Sequence, residues 1–310
     1  MKRFVMGFLL AVLAISTFAV TFLTIATGGT AGVYYPLGAA MADIWTRNLK
    51  NVNASAQSTG ASVANVNLLK NKEVDVIFVQ NDVAYYAYAG IELFKDQPYK
   101  GLRGLATLYP ETIQIVALAD KGINSVYDLK GKRVAVGAAG SGTEVNARHI
   151  LLAAGITYND IKVQYLSFAE AAENLKNENI DAAFVTAGHP TAAIIDVSAV
   201  KKITIVPVDE KIVQILQKNY PFYTKIIIPA NTYKGVDKDV ETVAVKAMLA
   251  VREDLPADLV YEMLKTLYAN QKRLIEAHAK GEMILPETGK EGMSIPLHPG
   301  AEKFFAEMGI

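Results

Sequence analysis

The sequence predicts an α/β fold of two similar lobes, and three observations predict it. First, Asn67-Leu68-Leu69-Lys70-Asn71-Lys72-Glu73-Val74-Asp75-Val76-Ile77-Phe78-Val79 returns as Glu173-Asn174-Leu175-Lys176-Asn177-Glu178-Asn179-Ile180-Asp181-Ala182-Ala183-Phe184-Val185. Each copy reads as a helix end, a polar turn and a buried strand. Second, a matched pair lies upstream of these copies. Thr24-Ile25-Ala26-Thr27-Gly28-Gly29-Thr30 and Arg133-Val134-Ala135-Val136-Gly137-Ala138-Ala139-Gly140-Ser141-Gly142-Thr143 are both strand, Gly-rich turn and helix start. Third, the strands end in Gly/Ser/Thr loops, and open parallel sheets bind ligands outside the carboxyl ends of their strands. Together they point to one ligand held in a cleft between two lobes.

The elements follow in order. Lys2 and Arg3 precede an apolar run over 4–15, then Ser16-Thr17-Phe18-Ala19. This is a secretory pattern with cleavage expected after Ala19, so 1–19 is assigned as a signal peptide. The rival is an uncleaved anchor, since weakly polar residues extend the stretch to Ala26. Against it, 21–26 alternates like a strand and feeds the first Gly turn. In the first lobe, Tyr34-Tyr35-Pro36 opens a helix, with Pro36 suited to its first turn. A strand over 52–57 ends in Ser58-Thr59-Gly60-Ala61-Ser62, and the strand 74–79 ends in Gln80-Asn81-Asp82 before a Tyr-rich helix. Residues 102–108 and 112–118 read as consecutive strands parted by Tyr109-Pro110-Glu111, the second crossing into lobe two.

In the second lobe the strand at 133–137 leads through the Gly-Ser-Gly-Thr turn into a helix over 144–154. Strands over 163–166 and 181–185 follow, the latter ending in Thr186-Ala187-Gly188-His189-Pro190-Thr191. A helix and a strand over 203–208 complete the sheet. Residues 222–228 are taken as the return crossing, and 240–251, 257–278 and 300–308 as helices. Lobe I is thus 20–115 plus 225–310, and lobe II is 116–224. Two similar mixed sheets flanked by helices would be joined by two crossing strands, a topology that makes a hinge.

The 310 residues suffice for two lobes with real cores. Acidic and basic residues balance, which gives no footprint for nucleic acid. The chain has no cysteine, which removes disulfides, thiolate metal sites, thiol nucleophiles and an N-terminal lipoprotein anchor. The four histidines, His149, His189, His278 and His298, are far apart and lack metal-ligand spacing. No metal and no cofactor is expected.

Ser141, Gly142 and Thr143 form the most specific local signal. Glycines let the backbone approach a ligand, and the free amides of the following helix with two hydroxyls make an anion-binding cup. Ordinary helix capping by Ser141 is the alternative. No Lys-Ser or Lys-Thr follows the glycines, so the loop is not a nucleotide P-loop, and Val145 stands where a dinucleotide fold has its third glycine. Ser58 and Thr59 open a second hydroxyl-rich helix start, and Gln80 supplies a neutral amide at a strand end. Of Tyr34 and Tyr35, one phenol should enter the cleft and one the core, Tyr35 being the cleft candidate. His189 sits at a strand end facing the cleft, as a ligand contact or a turn residue. Asp75 and Asp181, matched in the repeat, read as turn residues and not as a catalytic pair. No Ser lies in a Gly-x-Ser-x-Gly elbow. A binder is expected, not an enzyme; the enzyme alternative would need His189, Glu144 or Glu170 in the cleft.

Several of these motifs resemble one family. Ala26-Thr27-Gly28-Gly29-Thr30-Ala31-Gly32-Val33-Tyr34-Tyr35-Pro36-Leu37-Gly38 is similar to the opening of the TAXI (TRAP-associated extracytoplasmic immunogenic) solute-binding proteins. So are Ser58-Thr59-Gly60-Ala61-Ser62, Val79-Gln80-Asn81-Asp82-Val83-Ala84-Tyr85-Tyr86, Val136-Gly137-Ala138-Ala139-Gly140-Ser141-Gly142-Thr143-Glu144 and Gly188-His189-Pro190. The likeness runs from about residue 21 to at least 255, and Ala31 and Ala61 stand where glycine is expected in many relatives.

The resemblance implies a two-lobed periplasmic-binding-protein fold, type II-like, that closes on a small anionic carboxylate. Glutamate, glutamine or a dicarboxylate such as 2-oxoglutarate would be the solute. It would be handed to the membrane subunits of a TRAP transporter, driven by an ion gradient. The matching pocket residues would be Tyr35, Ser58, Thr59, Gln80, Ser141, Gly142 and Thr143. Dicarboxylate-type TRAP binders clamp their ligand with an arginine in a crossing strand; 112–118 has none, so hydroxyls and helix N-termini would take that role. The resemblance places the chain in the periplasm, as a monomer. A receptor for a phosphonate or sulfonate, of the ABC type, is the alternative from the same fold.

Overall fold

The computed structural model describes residues 20–310, so the expected signal peptide at 1–19 lies outside the described residues. The chain opens with β1 (Thr21–Ala26), α1 (Tyr34–Asn48), β2 (Val52–Gln57), α2 (Ser62–Lys70), β3 (Val76–Gln80) and α3 (Asn81–Ala89), then enters the long β4 (Leu102–Leu118). The second half repeats the alternation. It comprises β5 (Arg133–Ala135), α4 (Gly142–Ala153), β6 (Lys162–Gln164), α5 (Phe168–Lys176), β7 (Ala182–Ala187), α6 (Ala192–Val200), β8 (Ile203–Val206) and α7 (Glu210–Asn219). The chain returns through β9 (Thr224–Ile228) and β10 (Val240–Arg252) to α8 (Ala257–Ala269), α9 (Gln271–Ala277) and α10 (Pro299–Glu307).

The strands form one path, β2-β1-β3-β10-β4-β7-β5-β6, with β8 beside β4 and β9 beside β10. Its ends mirror each other. β1 is parallel to β2 and β3, as β5 is to β6 and β7. An antiparallel strand then follows in each half, β10 against β3 and β4 against β7. The two half-sheets share one hydrogen-bonded path because β4 and β10 each serve both. The first part of β4 pairs with β10, while its last residues lie between β7 and β8.

The repeated aspartates have matching structural jobs. Asp75 Oδ2 accepts the Thr24 amide at 2.9 Å, and Asp181 Oδ2 accepts the Arg133 amide at 2.8 Å. Each carboxylate thereby fixes a β3- or β7-type strand to the strand that carries the glycine loop. Arginines complete the pairs: Arg252 meets Asp75 at 3.2 Å, and Arg133 meets Asp181 at 2.7 Å.

Three sequence expectations are corrected. Residues 102–118 are a single strand, not two. Pro110 is accommodated because the register against β10 shifts between Lys246 and Met248, where a missing N–H leaves no gap in the ladder. Residues 240–251 are a strand, not a helix, and β10, not 222–228, is the return crossing; β9 is its antiparallel neighbour. The β-branched Val240, Thr242, Val243 and Val245 suit a pleated surface, and β10 is buried along most of its length between neighbouring strands, so its apolar run lacks alternation. The helix expected over 257–278 breaks at Asn270, whose φ of −115° and ψ of 30° leave the helical region and separate α8 from α9.

The core follows this layout. Ile113, Ile115, Val134, Phe184, Val206 and Leu216 pack together in the second half. Trp45, fully buried in the first, donates its indole N–H to the Met263 carbonyl at 3.0 Å and so ties α1 to α8. Among the described residues no helix is long and apolar enough to cross a membrane.

Candidate functional site

The carboxyl ends of six parallel strands converge on one cavity of about 70 Å³. After β1 come Gly28, Gly29 and Gly32, then Tyr34 at the start of α1. Thr59 to Ser62 follow β2, and Gln80 ends β3. From the second half come Ala138 and the Ser141-Gly142-Thr143 turn after β5, Ser167 and Phe168 after β6, and Thr186 and Ala187 of β7. Glu111, on β4, completes the lining. Strand-to-helix turns gather here because parallel β-α units place all their helix starts at one sheet edge.

The two halves touch directly across the cavity. The amides of Val63 and Ala64, in the first turn of α2, both donate to the Gly140 carbonyl at 3.1 Å. The side chain of Gln80 packs against the bare α-carbon of Gly142: a β-carbon there would stand 2.0 Å from Gln80 Oε1 and 2.4 Å from its Cδ.

Several hydroxyls hold the loops themselves. Ser141 Oγ accepts the Glu144 amide at 3.1 Å, so it caps α4 as well as lining the cavity. The Thr59 hydroxyl lies 3.0 Å from the Thr27 carbonyl and 2.5 Å from Asn65 Oδ1, and accepts the Ala61 amide at 3.1 Å. Ser62 Oγ accepts the Gln80 amide at 3.1 Å. Ala61 holds φ at +68°, where glycine is the easier residue, which gives a physical reason for the glycine expected there.

Of the candidate residues, Thr59, Gln80, Ser141, Gly142 and Thr143 line the cavity. Tyr35, Ser58 and His189 do not. Helical rotation turns Tyr34 inward instead of Tyr35; its ring packs 4.9 Å from that of Phe78 and its hydroxyl donates to Glu111 Oε2 at 2.5 Å. Ser58 Oγ donates to the Gly28 carbonyl at 3.0 Å, behind the wall. His189 Nδ1 lies 2.8 Å from Thr112 Oγ1, and burial, followed by the charge of Lys280, lowers its pKa to about 4. Glu144 accepts the Tyr158 hydroxyl at 2.7 Å, and Glu170 belongs to the cap of α5. Neither lines the cavity. Asp82 lies inside the first turn of α3, where Gln80 holds the cap position. Its Oδ2 accepts Asn146 Nδ2 at 3.0 Å, and burial raises its pKa to about 7.

Sequence reasoning missed Glu111, which is 2% exposed. Burial pushes its carboxyl up to about 8, against the pull of the Tyr34 hydrogen bond and with a further push from the charge of Asp82. The available signal was a lone acid inside an apolar run. Thr186, also missed, is buried and lines the same space. No lysine, arginine or histidine is among the lining residues. The positive end of α4, aimed at the cavity through Gly142 and Thr143, is the built-in attraction for an anion.

The sequence pattern of the NMT1-like family matches residues 25–309. A protein of Brachyspira hyodysenteriae named as an ABC transporter periplasmic binding protein is 25% identical over 228 residues, covering 73% of this chain and 56% of that protein. The chain therefore spans about half the length of this curated relative. Among solved structures, the alkanesulfonate-binding protein of Xanthomonas axonopodis pv. citri, bound to MOPS, is similar with a TM-score of 0.53 at 15% identity, over 93% of this chain and 84% of that one. A Prochlorococcus marinus protein, PhnD1, in complex with methylphosphonate gives 0.55 at 12% identity, over 86% and 91%. At these identities the likeness establishes the fold, the two-lobed α/β architecture of periplasmic binding proteins.

Proposed function

The chain belongs to the NMT1-like family, and on that premise we propose that it is an extracytoplasmic solute receptor that closes on a small carboxylate. The observation that carries this is the meeting of helix starts from both halves on one small cavity, with direct contacts between the halves at its rim. Lobe I begins at 20 and gives way to lobe II along β4, and the chain returns to lobe I within β10 and not at 225, so β4 and β10 form the hinge. Ligand carboxylate meets the start of α4 at Ser141, Gly142 and Thr143, while Thr59, Gln80 and Tyr34 supply the opposite wall. Each half alone offers part of these contacts, so solute favours the closed form by its differential affinity. The protein acts in the periplasm as a monomeric binder without catalysis. It passes its solute to the membrane subunits of a TRAP transporter, an assignment supported by the TAXI-like motifs.

A second reading, a receptor for a sulfonate or phosphonate serving an ABC transporter, is favoured by the ligands named with the two solved structures above. A thermal-shift panel on the purified chain separates the two. Ligand that binds only the folded form raises the melting temperature by mass action. A shift with glutamate, glutamine or a related carboxylate is expected. Shifts confined to sulfonates or phosphonates would transfer the assignment to the second reading, and catalytic turnover of any of them would sink both.

The cup can be tested residue by residue. Thr143→Ala is expected to weaken binding by about 1–3 kcal/mol with little change in melting temperature, because its hydroxyl serves the cavity. Ser141→Ala should weaken binding similarly and also lose about 1 kcal/mol of fold stability, since the same oxygen caps α4. Calorimetry of binding and of unfolding on both variants checks this. Normal affinity in Thr143→Ala would remove the α4 start from the site.

A further inference from the structure

We propose that Glu111 receives a cationic amino group, so that the cleft selects a small zwitterion, an α-amino carboxylic acid, over the corresponding acid that lacks the amine. The inference rests on the solute-receptor reading above and adds the chemical class of the solute.

Glu111 lies on β4 opposite Val245 of β10, almost wholly buried, with its carboxylate in the cavity lining. A buried carboxylate is costly unless a cation or a proton neutralises it. Only neutral groups attend it here: the Tyr34 hydroxyl donates at 2.5 Å, and the Gln80 side chain is a second hydrogen-bond partner. The titratable groups facing it are Tyr34 on α1, Asp82 on α3 and Tyr109 on its own strand, none of them a cation. Lys246, adjacent on β10, pairs with Glu291 at 3.2 Å.

Two further buried atoms in the same lining point to a donor. Gln80 Oε1 and Thr186 Oγ1 have no hydrogen-bond partner among the described residues. With Glu111 they make three acceptors, and an ammonium carries three N–H donors. The positive end of α4 adjoins them, since the Gln80 side chain packs against Gly142. The cavity is therefore dipolar, with acceptors from β4, β3 and β7 beside the helix start of α4. A zwitterion matches both poles, whereas a plain dicarboxylate would set a second anion beside Glu111. Binding of the ammonium displaces the proton that otherwise neutralises Glu111.

The test is titration calorimetry of the purified chain at pH 7 with L-glutamate, L-glutamine, 2-oxoglutarate and glutarate. The amino acids are expected to bind roughly tenfold or more tightly than their amine-free counterparts. In Glu111→Gln that preference should fall to near parity. Equal affinity for L-glutamate and 2-oxoglutarate, or a preference that survives Glu111→Gln, overturns the assignment while leaving the receptor reading intact. Should that variant not fold, the comparison on the unaltered chain and on Tyr34→Phe, which loses the hydroxyl held by Glu111, decides the matter: a preference for the amine that weakens in Tyr34→Phe supports the assignment, and parity in the unaltered chain overturns it. Failure of every carboxylate to bind sinks the receptor reading, and this inference with it.

Discussion

A chain carrying Gly142→Ala is expected to bind its solute about a hundredfold more weakly than the unaltered protein, a loss of about 2.7 kcal/mol, while melting at nearly the same temperature. The added β-carbon would fall 2.0 Å from Gln80 Oε1 and 2.9 Å from Nε2, well inside contact distance. Gln80 has little room to yield, because it is 2% exposed and its own amide is held by Ser62. Overpacking of this kind typically costs about 1–3 kcal/mol. The clash lies between the end of β3 and the start of α4, in opposite halves of the molecule. Opening the cleft relieves it, so the cost falls on the closed form and not on folding. Alanine at the first helical position is itself no worse than glycine. Calorimetry of binding alongside thermal unfolding checks both parts. Unchanged affinity would mean the halves need not meet here, and a large fall in melting temperature would mean they cannot part.

Stability of the solute-free chain is expected to peak near pH 6.5 and fall as the pH rises to about 8. Glu111 and Asp82 have folded pKa values of about 8 and about 7, above their ordinary 4.5 and 3.8, chiefly through burial. The folded chain therefore holds protons that the unfolded chain has released, and each group loses on the order of 1.4 kcal/mol of stability per pH unit across its window. Histidines act oppositely. Burial lowers His149 to about 3 and His189 to about 4, below the ordinary 6.5, so they add stability as the pH rises towards 6.5 and nothing beyond it. Below pH 6.5 the two kinds of group offset each other; above it the carboxyls act alone. Glu111→Gln should flatten the decline between about pH 7 and 8, and Asp82→Asn the part below it. A melting temperature that climbs steadily from pH 6.5 to 8 would show that these carboxyls are ionised at little cost in the folded chain.

The repeated half was readable because its signals are local. The motif ending in Asp75 and the one ending in Asp181 each encode a helix end, a turn and a strand within a short stretch, and the structure uses both aspartates in the same way. The crossing strands were harder, because their surroundings come from distant chain. β10 is buried on most positions by β3, β4 and β9, so its apolar residues lose the alternation that marks a strand, and Ala, Met and Leu in its second half favour a helix. Pro110 read as a break because the register shift that admits it exists only once β10 is alongside. The same misreading hid Glu111, which looked like a turn residue. The sequence reading chose Tyr35 for the cleft where Tyr34 lines the cavity, because the choice depends on the helical rotation at which α1 begins. The hydroxyl-rich loops were legible as a group, but not the division of labour within them, in which Ser58 and Thr59 bind backbone while Thr143 and Thr186 face the cavity.

The Gly140 carbonyl bears on timing. It receives the Val63 and Ala64 amides of α2 only when the loops from the two halves meet, and nothing of the solute takes part in those bonds. Every solute small enough to let the loops meet gains the same increment from them. The contact therefore leaves the ranking of solutes untouched and lengthens the stay of all of them. If Glu111 selects the solute as proposed, selectivity and dwell time are set at separate places, the first on the cavity floor and the second at the rim. A change at the rim is expected to speed release of solute without altering which solute is preferred.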